Sequence, residues 1–156
     1  MNKKIDNLAA DNIRALAISM VEKANSGHPG GAMGGADFLH ILYSEYLNIE
    51  PTEMDWPFRD RFFMDAGHLS ALMYAQYSLL GNYSKEDLQN FRQWGSITPG
   101  HPEVDVLRGI ENTSGPLGQG HAMGVGAAIA AKFLDARFTG LFEHKIYGFI
   151  TDGGVQ

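Results

Sequence analysis

The sequence has no cysteine, few basic residues and no long apolar run, and each absence excludes a class of protein. Without cysteine, neither a disulfide framework nor a thiolate zinc site is possible, and a cysteine-free chain fits the reducing cytoplasm, where we expect it. The 12 basic and 18 acidic residues give a net charge of −6, which argues against a nucleic-acid partner. No apolar run approaches the ~20 residues needed to span a bilayer, so we expect no membrane partner.

The sequence does contain many glycines, 19 in 156 residues, and several of them stand next to histidine. Glycine precedes four of the six histidines, namely His28, His68, His101 and His121. Proline follows two of these, at Gly27-His28-Pro29 and Gly100-His101-Pro102. Because glycine tolerates unusual backbone angles and proline fixes the next φ, His28 and His101 are predicted to lie on rigid, non-helical turns, whereas His121 falls within a predicted helix. The repetition favours one polar pocket lined by imidazoles.

Apolar periodicity and turn residues predict most of the elements. The patterns predict helices over residues 13–24, 38–47, 70–80, 84–94 and 118–138. A capping box at Ser84 and Asp87 opens the fourth of them, and the aromatic residues of the second are expected to lie in the core. Residues 95–117 read as a long irregular loop, which in a compact domain is typically functional.

Two segments read as strands, Arg61–Met64 and 146–150. The second is apolar on both faces, which is typical of a parallel sheet covered by helices. We therefore expect an α/β fold, with residues 1–156 forming the front part of a larger domain. His40 and His144, which have no neighbouring glycine, are expected to be solvated.

Polar residues follow both strands. Ligands of open parallel sheets bind at the carboxyl ends of the strands, and His68 and Asp152 both come shortly after such an end. If the strands are parallel, both residues lie at the same edge of the sheet. An aspartate followed by two glycines suits a Mg²⁺ ion, and the amides before the Gly118 helix could meet a polar ligand atom.

Sequence motifs of other common ligand-binding and catalytic sites are incomplete or missing. Met123 occupies the third glycine position of a dinucleotide fingerprint, and the sequence contains no P-loop. The glycine-flanked histidines are too far apart in sequence for a compact zinc hydrolase motif.

Five motifs, in this order, resemble the N-terminal part of transketolase, a thiamine diphosphate enzyme. They are SGHPGG (26–31), DRFFMDAGHLS (60–70), FRQWGSITPGHPE (91–103), ENTSGPLGQG (111–120) and TDGG (151–154). The resemblance implies transfer of a two-carbon ketol unit between sugar phosphates, in the pentose phosphate pathway, by a homodimer.

The same resemblance implies residue roles. His28 and His101 would be catalytic and contact the sugar hydroxyls and the reacting centre. The cofactor would be bound by His68 and Gly153 at its diphosphate and by Gly115, Pro116 and Leu117 at its rings. Asp152 would be a ligand of Mg²⁺, or alternatively of Ca²⁺.

Three features depart from the family pattern. Thr151 replaces a glycine, Leu69 replaces a small residue, and the glutamate and asparagine that usually follow the metal-binding aspartate are not within residues 1–156. We therefore expect an incomplete diphosphate-binding domain that is inactive alone and needs the remaining domains or a C-terminal subunit. The alternatives are an enzyme like 1-deoxyxylulose-5-phosphate synthase, against which the Gly-His-Pro motifs argue, and a non-catalytic assembly subunit.

Overall fold

The computed structural model describes residues 3–156, which contain six α-helices and two β-strands. In chain order these are α1 Lys3–Ala24, α2 Pro29–Gly34, α3 Ala36–Ile41, β1 Arg61–Met64, α4 Ser70–Leu79, α5 Lys85–Gln89, α6 Gln119–Arg137 and β2 Ile146–Phe149. A π-helical turn, Leu42–Tyr46, continues α3, and short 3₁₀ turns lie at Gly67–Leu69, Val106–Arg108 and Asp152–Gly154. No helix among these residues combines the length and apolarity needed to cross a bilayer.

The chain forms two compact units. The helical unit contains the described residues up to Tyr46 together with His68–His101, and the sheet unit contains Leu47–Gly67 and Pro102–Gln156. Of the four histidines that follow a glycine, His28, His68 and His101 belong to the helical unit. The glycine-rich loop and the Asp152 turn belong to the sheet unit.

In the helical unit, α1 packs against α2, α3 and α4. One face of α1 is fully buried, with Ile13 and Ala17 at 0% exposure. The helix ends where predicted, because Asn25 and Gly27 adopt positive φ angles of 49° and 142° that no helix continues through.

The prediction of one continuous α-helix over residues 38–47 is wrong. It is divided into the end of α3 and the π-helical turn, which changes the spacing of side chains around the axis. Tyr43 is buried and its hydroxyl lies 2.6 Å from that of Tyr77, but Phe38 and Tyr46 are 48% and 63% exposed. The expectation of an entirely buried aromatic stripe therefore fails at two positions.

In the sheet unit, β1 and β2 are parallel, as predicted, with Arg61 opposite Ile146 and Met64 opposite Phe149. Helix α6 packs against both strands. A Cβ at Gly120 would lie 2.6 Å from Asp65 Cα and 2.7 Å from the Met64 carbonyl oxygen, so only glycine permits this approach. The predicted α/β arrangement of helix against parallel strands is confirmed.

This close approach gives a prediction within one helix. Gly120→Ala should destabilise the protein by roughly 1–3 kcal/mol, since the methyl group must push α6 away from β1. Gly126→Ala is the matched control, because nothing lies within 4 Å of its added Cβ. That control should stabilise by about 0.5–1 kcal/mol through helix propensity. Denaturant unfolding of both variants measures the difference, and equal effects would contradict the packing described.

Two further expectations fail. The side chain of His40 is only 14% exposed and its Nε2 lies 3.3 Å from Asp6 Oδ1. His144 is half-buried, and burial lowers the pKa of its imidazole below the ordinary value. Neither is fully solvated as expected, since His40 lies against Asp6 of α1 and His144 is partly shielded from solvent.

Candidate active site

The helical unit brings His28, His68 and His101 together, as their sequence context predicts. The ring centroids of His28 and His68 are 4.9 Å apart, with the planes inclined at 64°. His101 lies close enough that its charge would act on His68. The rings of His28 and His101 are exposed and that of His68 is half-buried, so the cluster can contact a ligand.

His28 is held at the beginning of a helix. It is the N-cap of α2, with non-helical angles of φ −126° and ψ 87°, and Pro29 follows as the first helical residue. The predicted non-helical conformation of His28 is confirmed. Pro29 nonetheless begins a helix, because a residue in the first turn needs no intrahelical N–H bond.

Leu69, which departs from the family pattern, fits into a space that a glycine leaves open. It is buried at 3% exposure, and its Cδ2 lies 2.5 Å from where a Cβ of Gly31 would be. The large side chain is accommodated because the SGHPGG motif has no side chain at that point.

The second Gly-His-Pro turn is anchored to α4. The fully buried Ser70 donates its hydroxyl to the Gly100 carbonyl at 2.7 Å, and Tyr74 donates to the Pro99 carbonyl at 2.9 Å. These two bonds fix the backbone just before His101, so the ring is presented from a rigid turn.

The surroundings of His68 and His101 favour neutral imidazoles. Burial lowers the pKa of His68 below its ordinary value, and positive charge on His28 or His101 lowers it further. Burial also lowers the pKa of His101, with the Arg92 guanidinium and then His28 as additional causes. Near neutral pH both rings therefore keep one nitrogen as a hydrogen-bond acceptor and the other as a donor.

The sheet unit contains the residues predicted to bind the cofactor, except His68, which belongs to the helical unit. A Cβ at Gly153 would lie 3.2 Å from Leu117 Cδ1, and one at Gly118 would lie 3.3 Å from the Gly154 carbonyl oxygen. The glycine-rich loop and the turn after β2 are therefore in contact. Pro116, in that loop, is exposed and accepts a bond from the Gln119 amide at 3.3 Å, while Gly115 has open space where a side chain would be.

Asp65 lies beneath both loops. Its side chain is completely buried, and its two carboxylate oxygens accept bonds from the Gly118 and His121 amides, each at 3.1 Å. A Cβ at Gly154 would lie 2.4 Å from Asp65 Oδ2. At Gly118 and His121, the expectation of amides free for a ligand at the start of α6 therefore fails, because an internal carboxylate already accepts hydrogen bonds from both.

Asp152 is well placed for a cation. It is exposed in the 3₁₀ turn after β2, and an oxygen-donating carboxylate is the ligand type that Mg²⁺ prefers. Thr151 fits the position of the family glycine because its backbone is extended, with φ −107° and ψ 163°. Among residues 3–156 no group of three or more acidic or histidine side chains is arranged around a metal position.

Both strands run parallel and both lead into predicted site residues, His68 after β1 and Asp152 after β2. That the two residues share one edge of the site stays a prediction. His121 lies on α6 as expected, with its side chain exposed and its amide bound to Asp65.

Sequence patterns alone did not identify Asp65 and Arg92 as residues of the candidate site. A charged residue directly after the apolar strand β1 was a usable signal for Asp65. Arg92 lies inside a recognised motif, but its partners are distant in sequence, as its bond to the Ser26 hydroxyl shows. Only the folded chain shows what it contacts.

Parallel strands with a helix packed against them, polar turns after their carboxyl ends and a histidine cluster define an α/β ligand-binding domain. The profile of the family described as "Transketolase, thiamine diphosphate binding domain" matches residues 5–156. The chain belongs to this transketolase family.

Similar proteins support this membership. A transketolase of Halalkalibacterium halodurans is 48% identical across 100% of this chain and 24% of its own length. The solved transketolase of Campylobacter jejuni is 46% identical with a TM-score of 0.91, covering 100% of this chain and 25% of that one. A Pichia stipitis transketolase solved with sedoheptulose-7-phosphate is 40% identical with a TM-score of 0.87, over 97% of this chain and 23% of that one.

The chain thus spans about a quarter of the length of the relatives it matches. These matches favour transketolase over the alternative of a deoxyxylulose-phosphate synthase.

Proposed function

We propose that this chain contributes the diphosphate-binding part of a thiamine diphosphate site to a transketolase. The enzyme would transfer a two-carbon ketol unit from a ketose phosphate to an aldose phosphate in the pentose phosphate pathway. The observation that carries the proposal is the contact between Leu117 and Gly153 beside the exposed carboxylate of Asp152. That contact joins a segment suited to an apolar ring and a turn suited to a diphosphate and its cation.

In this proposal Asp152 is one ligand of Mg²⁺ or Ca²⁺, and Gly153 admits the diphosphate because it has no side chain. Gly115, Pro116 and Leu117 contact the cofactor rings through backbone and apolar atoms. Thiamine diphosphate, when bound, supplies the carbanion-stabilising chemistry that amino acid side chains lack. The chain's own residues bind it, orient it and move protons.

Two of the three clustered histidines, His28 and His101, would contact the sugar substrate. His28 and His101 are exposed, and the lowered pKa of His101 leaves it neutral near pH 7, able to accept a proton from a sugar hydroxyl or donate a hydrogen bond to it. His68, whose ring lies against His28, would contact the diphosphate. The proposed substrates are sugar phosphates, like the one bound to the Pichia relative.

The rest of the site would come from other polypeptide. Since the relatives are about four times as long as this chain, we propose that the remaining metal ligands and the pyrimidine-binding part lie outside these 156 residues. They would belong to further transketolase domains or to a C-terminal subunit, in a cytoplasmic homodimer. The complete enzyme is this chain together with that polypeptide.

Asp152→Asn tests the metal role in the complete enzyme. The amide keeps the shape of the side chain but loses the charge that binds the cation, so Mg²⁺-dependent affinity for thiamine diphosphate should fall by roughly 10- to 100-fold. Asp11→Asn, an exposed change on α1, is the control and should leave affinity unaltered. Calorimetric titration measures both. Unchanged cofactor affinity in the Asp152 variant would remove this residue from the proposed site.

A further inference from the structure

Arg92 contacts both of the turns that carry the exposed histidines. Its Nη1 donates to the hydroxyl of Ser26, two residues before His28. Its guanidinium also lies against Gly100, since a Cβ there would be 2.5 Å from Nε and 3.0 Å from Cζ. One side chain thereby spans the Ser26–His28 and Gly100–His101 segments.

The backbone of Arg92 is held in an unfavourable conformation. Its φ is +61°, one of two non-glycine residues among 3–156 with a positive φ. Its amide donates to the Thr98 carbonyl at 3.0 Å, which fixes this conformation. A non-glycine residue in the left-handed region is strained and persists where the surrounding structure requires it.

The guanidinium is also incompletely satisfied. Nε is shielded from solvent and has no hydrogen-bond partner among residues 3–156. The Cζ atom lies 5.8 Å from the centroid of the Phe91 ring, and Phe91 in turn lies against Gly27. Strain and an unpaired donor in the same residue indicate that its placement serves something other than stability.

We propose that Arg92 is a positioning residue that holds the two Gly-His-Pro turns at a fixed spacing, so that His28 and His101 act as a pair. Its catalytic consequence rests on the proposed function. Its positive charge has a second effect, because it lowers the pKa of His101 after burial and ahead of His28. The groups whose positive charge lowers the pKa of His101 are Arg92 and, when protonated, His28; for His68 they are His28 and His101 when protonated.

Three substitutions in the complete enzyme separate charge, geometry and folding. Arg92→Gln removes the charge, so the pKa of His101 should rise in an NMR titration of the imidazole Cε1–H resonances. Arg92→Lys keeps a charge but loses the planar fork, so kcat should fall about 10- to 100-fold while KM changes less than threefold. Arg92→Gly relieves the strained φ and therefore folds, yet should show both defects.

Arg14→Gln is the control, since Arg14 pairs with Asp11 on the outside of α1 and should change neither readout. An unchanged His101 titration together with unchanged kcat in the folded Gly variant would overturn the proposal. If the Gln variant does not fold, the Gly variant alone decides. The NMR titration needs no turnover, so a failure of the proposed ketol transfer would remain distinguishable from a failure of this inference.

Discussion

Replacing His101 or His28 by alanine is expected to lower kcat/KM for ketol transfer by about 10²- to 10⁴-fold in the complete enzyme. Each exposed ring is presented from a rigid turn, and Ser70 fixes the backbone before His101 through its 2.7 Å bond to Gly100. An alanine removes the proton acceptor and leaves that turn in place. Steady-state kinetics with a ketose phosphate donor and an aldose phosphate acceptor measure the effect.

His121→Ala is the matched control for this experiment. His121 is also an exposed histidine after a glycine, but it lies on α6, and its structural bond to Asp65 uses only the backbone amide. Its loss should leave kcat/KM within about twofold. The double variant of His28 and His101 should lose less than the product of the two single losses, because residues acting as a unit are not additive. Full activity in both single variants would remove these histidines from the mechanism.

His68 is expected to differ from its neighbours. The proposed function assigns it to the diphosphate, so His68→Ala should mainly raise the cofactor concentration needed for half-maximal activity. A pure loss of kcat at saturating cofactor would instead place His68 with the sugar-binding pair.

Asp65→Ala should be the most destabilising substitution near the site, at roughly 3 kcal/mol in free energy of unfolding. The carboxylate is completely buried and satisfies the Gly118 and His121 amides at the start of α6. Alanine would leave both donors unpaired, remove a negative charge from the positive end of the helix and open a cavity. Denaturant unfolding monitored by circular dichroism measures the change.

Two comparisons sharpen this prediction. Asp65→Asn keeps the volume and one acceptor oxygen, so its loss should be smaller than that of alanine. Asp11→Ala removes an exposed carboxylate whose side chain is 71% accessible, and it should cost less than about 0.5 kcal/mol. If the Ala variant at 65 were as mild as that at 11, the carboxylate would not be what holds the start of α6.

Elements governed by short-range chemistry could be predicted from the sequence. The capping box is an example, since Ser84 and Asp87 bond each other reciprocally, as expected from their spacing. The predicted end of that helix near residue 94 is wrong: α5 stops at Gln89, Asn90 leaves the helical region at φ −95° and ψ 15°, and Arg92 then adopts a left-handed conformation. No local pattern signals that conformation, which depends on the Thr98 carbonyl.

The candidate site likewise contains some residues that local sequence patterns predict and others that they do not. The histidine turns could be predicted from their glycine and proline neighbours, because these residues restrict or free the backbone of adjacent residues. Asp65 bonds an amide 53 residues away and Arg92 bonds a hydroxyl 66 residues away, and no sequence period encodes such pairs. The partial burial of His40 likewise depends on a contact distant in sequence, with Asp6.

Ketol transfer by the complete enzyme, assayed with and without thiamine diphosphate, tests the central claim most directly. The chain's family and the contact of Leu117 with Gly153 predict that a two-carbon unit passes from ketose phosphate to aldose phosphate only when cofactor and a divalent cation are both present. Removing either should abolish the transfer, and adding it back should restore the rate. A complete enzyme that transfers no ketol unit, or transfers it equally well without the cofactor, would contradict the assignment.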